Sequence, residues 1–219
     1  MSLDRLPADF GRTRAALHRL ACYVIAPARK ARTGRIGLVP IDGGFGTPPF
    51  DDGSQLVVTG DVVEFRPDRS YTITTLTDAA AFVGIDLTPD PGVGGDLPPF
   101  DTGALDVDPA ASRALGQWYE FANPLMASFP NAWIWPEHFD LGATLDGRII
   151  GFSPGDSYDD EPYVYVGPRP TGPDGRNPFW NAPFGAMTAY HELQQFADPR
   201  ALAASFIRRG LDLLESSNG

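Results

Sequence analysis

The sequence predicts an α+β protein, an antiparallel sheet of hairpins with helices packed on one face. Three observations carry this reading. Apolar stripes of helical period stand near both ends of the chain and before its centre. Asp146-Gly147, a dipeptide favoured in two-residue hairpins, separates two runs of strand character. Pro162 to Gly167 alternates Tyr163 and Tyr165 with Val164 and Val166, the period of a strand.

The first helix is expected from about Asp9 to Arg32. Leu17, Leu20, Ala21, Val24, Ile25 and Ala28 form its stripe, and Pro27 is expected to distort or stop it. Arg29, Lys30 and Arg32 suit the negative end of the helix dipole. His18 and Cys22 lie beside the stripe as a flanking polar residue and a small core residue. Arg35 to Pro40 is a strand candidate. The loop Asp42 to Phe50 carries Gly43, Gly44 and Gly46 but lacks a phosphate-binding fingerprint, so it reads as a rigid turn. Gln55 to Gly60 and Asp61 to Arg66 form a hairpin that Tyr71 to Ile73 extends. Thr75 or Thr77 caps a short helix that Gly84 stops.

Residues 86–108 hold Asp86, Asp90, Asp96, Asp101, Asp106 and Asp108 with no Lys or Arg, among prolines and glycines. They read as a long surface connection within one α+β domain spanning residues 1–219. Asp108 then caps a helix opened by Pro109, with Ala111, Leu115, Trp118, Tyr119 and Ala122 on its apolar face. Phe179 to Glu192 fits either a strand or a helix start. Asp198 and Pro199 open the last helix, whose buried stripe is Ala203, Phe206, Ile207, Gly210, Leu211 and Leu214.

Composition narrows the function classes. With 17 Lys and Arg against 28 Asp and Glu, the net charge of -11 argues against nucleic-acid backbones and anionic membranes as partners. Cys22 is the only cysteine, which excludes an intrachain disulfide and fits a reducing compartment. The N-terminus lacks a signal-like apolar region and no apolar run reaches membrane-span length, so a cytoplasmic location is expected.

The candidate site lies in Trp133 to Asp156. Ala132 to Leu145 reads as one long strand, paired through Asp146-Gly147 with Arg148 to Ser153. On such a strand Trp133, Trp135, Glu137 and Phe139 share one face. His138 and Asp140 share the other, two residues (~7 Å) apart. That spacing suits two ligands of one divalent metal, with His191 as a third and Arg200 holding a carboxylate co-substrate, the pattern of non-haem iron oxygenases. It equally suits a hydrogen-bonded pair on a half-exposed strand. Glu137, Asp156, Asp159, Asp160 and Glu161 form an acidic set able to do paired-carboxylate chemistry, with Trp133, Trp135, Trp180 and Tyr163 as stacking surfaces. A solvated acidic turn beside core aromatics explains the same residues.

Trp135-Pro136-Glu137-His138-Phe139-Asp140-Leu141, Gly151 to Asp156, Glu161-Pro162-Tyr163 and Phe179-Trp180-Asn181 resemble a group of uncharacterised bacterial proteins. Those share a domain of unknown function with a Trp-Pro-x-His-Phe-Asp motif and a Ser-x-Gly-Asp turn. The resemblance covers about the C-terminal two-fifths of the chain and implies no activity.

The leading expectation is a small-molecule pocket lined by the central hairpin. Trp135, Glu137, His138, Asp140 and Trp180 are its ligand-binding residues. The alternatives are a metal-dependent enzyme using His138, Asp140 and His191, and a protein-interaction module using the acidic connection.

Overall fold

Two antiparallel sheets of five strands, with helices, make the fold α+β. The structure is a computed structural model that describes residues 3–95, 97–168 and 177–216. Its chain divides into two compact units: Leu6–Glu120 with Trp133–Phe139, and Met1–Arg5 with Phe121–Ala132 and Asp140–Gly219.

The first unit is built on one helical rod: α1 (Phe10–Leu20), a π-helical stretch (Ala21–Ile25) and α2 (Ala26–Thr33). Pro27 explains the π-helical stretch. Proline has no N–H to give, and its ring clashes with the carbonyl four residues back, here that of Tyr23. In the widened turn before it, Ala26 N–H reaches the Ala21 carbonyl, five residues back. The rod therefore passes Pro27 without stopping and ends at Gly34, whose φ of 72° closes the helix. Its middle, Leu20 to Ala26, is buried on all sides rather than along one stripe.

The five strands of this unit's sheet follow chain order: β1 (Val39–Ile41), β2 (Gly44–Gly46), β3 (Gln55–Thr59), β4 (Val62–Arg66) and β5 (Arg69–Thr72). The expected hairpin is β3–β4. The glycine loop, however, contains a strand. β2 pairs with both β1 and β3, and its glycines permit this. A Cβ on Gly44 would overlap the Val58 carbonyl oxygen, and one on Gly46 that of Leu56. Thr75 caps α3 (Leu76–Val83), accepting from Asp78 N at 3.1 Å, and Gly84 ends it. Residues 86–108 carry no helix or strand among those described, and they are tied to the rod. Lys30 Nζ donates to Gly92 O at 2.6 Å, Tyr23 Oη to Pro98 O at 2.6 Å, and Arg19 pairs with Asp101 at 3.1 Å. α4 (Pro109–Met126) starts as expected, with Asp108 Oδ1 accepting from Ala111 N at 2.8 Å. The boundary between the units falls inside it.

The long strand expected over Ala132 to Leu145 is broken. β6 (Trp133–Trp135) ends at Pro136, and β7 (Asp140–Leu145) starts four residues later. Phe139 N donates to Trp135 O at 2.6 Å, closing a tight turn. Phe139 adopts a φ of 56°, a left-handed conformation that no strand accommodates.

In the second unit β7 pairs with β8 (Arg148–Ser153), then β9 (Tyr163–Pro168), then β10 (Ala186–Ala189). Asp146 and Gly147, with φ of 49° and 75°, make the expected tight turn. The ambiguous segment is both things in succession, β10 and then the single turn α5 (Tyr190–Leu193). α6 (Pro199–Ser216) is capped by Asp198, whose Oδ1 accepts from Ala201 N at 3.0 Å. α6 packs so closely on β9 that a Cβ on Gly210 would overlap Val166. Between Gly167 and Pro178 the sequence is rich in glycine and proline and predicts a loop, which lies mostly outside the described residues.

Gly44→Ala is expected to destabilise the protein by about 1–3 kcal/mol, as overpacking does. Gly11→Ala, in helix α1 with open space around it, is expected to stabilise by about 0.5 kcal/mol. Urea denaturation of both variants measures the contrast. Unchanged stability in Gly44→Ala would contradict the close pairing of β2 and β3.

Candidate functional site

The Trp-Pro-Glu-His-Phe-Asp motif is shared between the two units. Trp133 to Phe139 belong to the first, where they lie along the helical rod. The Trp133 ring sits between Gly37, where a Cβ would come within 2.9 Å of its Cγ, and the Arg29 guanidinium, 4.7 Å from the ring centre. Ile134 and Leu38 exchange backbone hydrogen bonds, both of 2.8 Å. The Pro136 carbonyl accepts from His18 Nε2 and from the Cys22 thiol, each at 2.9 Å. Phe139 lies flat on the His18 ring (centroids 5.2 Å apart) and edge-on to Phe45 and Tyr119, and its carbonyl accepts from Tyr119 Oη at 2.6 Å.

These contacts set the chemistry of His18 and Cys22. Burial lowers the His18 pKa to about 4, so at neutral pH the imidazole is uncharged. A carbonyl only accepts, so the single ring proton sits on Nε2. Burial, helped by the charge of Glu137, raises the Cys22 thiol to about 12. Both groups spend a donor on one carbonyl, and the thiol stays protonated. The pair is a packing device rather than a nucleophile and its base.

The second unit carries a different arrangement. On its sheet Val164 and Val166 point toward α6. The opposite face bears Asp140, Gly142, Gly151, Ser153, Tyr163 and Tyr165. Gly142 pairs with Gly151, and Gly151 with Tyr165, so the three stand in one row across three strands. Tyr165 reaches along this row and donates its hydroxyl to Asp140 Oδ2. The glycines make the path. A Cβ on Gly151 would overlap the Tyr165 hydroxyl, and one on Gly142 would come within 2.9 Å of it. Burial first, and Asp140 next, push the Tyr165 pKa well above its usual value, which keeps the proton on the phenol. Asp140 is only 6% exposed.

Tyr163 donates to Asp156 Oδ2 at 2.7 Å, while Asp156 Oδ1 accepts from Tyr158 N at 2.8 Å. One carboxylate thereby fixes the turn after β8 and places Tyr158. The rings of Tyr158, Tyr163, Tyr165 and Phe184 form a connected cluster, with centroids of touching pairs 5.0–6.3 Å apart.

The expected site residues are thus dispersed. Trp135, Glu137 and His138 belong to the first unit, and Asp140, Trp180 and His191 to the second. His138 is exposed in the turn, and it does not share a strand face with Asp140, because the turn at Pro136 to Phe139 interrupts the strand. Trp135 and Glu137 are half-buried. Trp180 meets Phe179, which lies on Phe206 of α6. His191, on α5, has its Nδ1 3.3 Å from Glu161 Oε2, and both side chains are exposed. Arg200 donates to the Phe121 carbonyl at 3.3 Å. Among the described residues no three His, Cys, Asp or Glu side chains are grouped to hold a metal ion. No described helix is long and apolar enough to cross a membrane.

Sequence reasoning gave no site role to Arg29 or Tyr165. The visible signal for Tyr165 was the pair of glycines at Gly142 and Gly151, facing each other across the hairpin.

Comparison with protein-family models, curated proteins and solved structures gave no match.

Because the folded-state pKa of His18 lies below its ordinary value of 6.5, the unfolded chain takes up a proton that the folded one refuses between pH 6.5 and about 4. Stability contributed by neutral His18 is complete above that window and falls by up to about 3 kcal/mol on descending through it. His18→Gln is expected to remove this part of the pH dependence. Denaturant midpoints for both proteins from pH 7 to 4 measure it, and parallel profiles would contradict the assignment.

Proposed function

We propose that the protein binds a small molecule on the tyrosine-lined face of the sheet formed around the central hairpin, with Asp140 as the principal polar contact. The row Tyr165–Gly151–Gly142 leading to Asp140 is the observation that carries this reading. Glycine inside a strand weakens it, and a buried carboxylate costs more than an apolar side chain of the same size. A face that served only to pack would use neither. Two facing glycines and a tyrosine laid across them hold a carboxylate and a phenol at fixed positions on one face. A binding site needs such preorganisation.

The chemistry of the face indicates the ligand. Asp140 accepts hydrogen bonds, the Tyr163 and Tyr165 hydroxyls retain accepting capacity, and Tyr158, Tyr163 and Phe184 offer apolar ring surface. A compact ring or aliphatic body bearing an amine or hydroxyl donor matches these groups. Of the residues expected from the sequence, Asp140 belongs to this face. Trp135, Glu137 and His138 serve the first unit.

Titration with tyramine and benzylamine, followed by amide chemical shifts, tests the proposal. Perturbations are expected to centre on β7, β8, β9 and Tyr158. Asp140→Asn is expected to weaken binding by about 10- to 100-fold, the effect of losing a charge-assisted hydrogen bond. Saturable perturbations confined to other surfaces, or unchanged affinity in Asp140→Asn, would refute it.

A further inference from the structure

Arg29, Lys30 and Arg32 read in sequence as one basic helix end, yet they have different fates. Lys30 donates to the Gly92 carbonyl. Arg32 reaches Asp52 at 3.5 Å and Ser54 at 3.1 Å, at the protein surface. Arg29 is buried, only 5% exposed. Its guanidinium has no hydrogen bond or ion pair among the described residues, and Nη1 is sealed from solvent without a partner. Arginine is almost never buried unless paired. Here 28 acidic residues outnumber 17 basic ones, which makes an unpaired buried cation more exceptional still.

The surroundings sharpen the point. The face of the guanidinium is covered by Trp133 at 4.7 Å, and that ring is itself backed by Gly37. Burial lowers the pKa of Arg29, and the like charge of Arg35 lowers it further. No carboxylate among the described residues offsets either effect. Cation–π stacking occupies the face of the group and Nη1 is sealed, which leaves the Nε–Nη2 edge, one that matches an oxyanion through two parallel hydrogen bonds.

We infer that Arg29, stacked on Trp133 and supported by the charge of Arg35, is a binding site for a small oxyanion, a carboxylate or phosphate group. The site lies wholly in the first unit and is independent of the tyrosine-lined face. Its occupant supplies the negative charge that none of the described residues brings to Arg29.

Thermal melting of the full-length protein in inorganic phosphate, in acetate and in chloride, at one ionic strength, tests the inference. Melting temperature is expected to rise with phosphate or acetate in a saturable way, by about 5 °C at a hundredfold excess over the dissociation constant. Tryptophan fluorescence should change over the same concentrations, because Trp133 lines the site. Saturation by phosphate alone assigns a phosphate ligand, by acetate alone a carboxylate ligand, and by both a general oxyanion site. Arg29→Met is expected to abolish the shift while melting no lower than the parent in chloride. Arg29→Lys, which keeps the charge and loses the fork, is expected to bind about tenfold more weakly, as is Arg35→Ala. These two variants decide the matter if Arg29→Met does not fold. The inference is overturned if no saturable shift occurs up to about 50 mM anion, a hundredfold excess for a site of sub-millimolar affinity. It is equally overturned if the shift persists in Arg29→Met, or is unchanged in both Arg29→Lys and Arg35→Ala.

Discussion

The carbonyl oxygen of Pro136 holds the first unit to its plan. It accepts from His18 and Cys22, donors more than a hundred residues away in sequence and one turn apart on the helical rod. A proline carbonyl in mid-strand would bond to a neighbouring strand. This one is turned onto a helix, and the chain must leave the strand to put it there. The turn follows, then the left-handed Phe139, then the ring packed on His18, Phe45 and Tyr119. The same contact dictates chemistry. Burial around it keeps His18 neutral and the Cys22 thiol protonated, and the carbonyl decides which ring nitrogen carries the proton. The residues that look most reactive in the N-terminal half are therefore committed to structure.

Polar groups in the two units are handled in different ways. In the first, two donors converge on one backbone acceptor, and Arg29 has an aromatic face and, among the described residues, no counter-charge. In the second, Asp140 and Asp156 each receive a tyrosine hydroxyl. The glycine floor under Tyr165 is the cost of the Asp140 contact, since glycines weaken the strands that carry it. Satisfied pairs make a rigid surface, whereas an unsatisfied cation makes a vacancy of charge. The tyrosine-lined face and the Arg29 site are thus suited to different ligands, a hydrogen-bond donor and an oxyanion.

Elements whose information is local were legible in the sequence. Asp198-Pro199, Asp108-Pro109 and Thr75 announce their helices through caps that form within three residues. Asp146-Gly147 needs only its own positive φ angles, and the alternation of Tyr163 to Val166 needs only the pleat. What failed was non-local. Gly44 and Gly46 looked like a turn because their reason for being glycine is the carbonyls of Val58 and Leu56. His138 and Asp140 looked like partners because the period of two was extended through Pro136, where the pull comes from His18 and Cys22. Arg29 looked like an ordinary helix-end cation, and its stacking on Trp133, a hundred residues later, is written nowhere near it. The α+β class survives such errors because it depends on the sum of local signals, whereas a site depends on a few distant meetings.

The protonation of His18 in the intact protein tests the Pro136 contact most directly. Nitrogen-15 chemical shifts of the imidazole, recorded from pH 8 to 4.5, report both tautomer and titration. A neutral ring with its proton on Nε2, unchanged through pH 6.5, is the expected result. A proton on Nδ1 would show that the Pro136 carbonyl does not hold His18 and that the motif is placed by other forces, and titration at the ordinary histidine pKa would show that the ring is not buried against it.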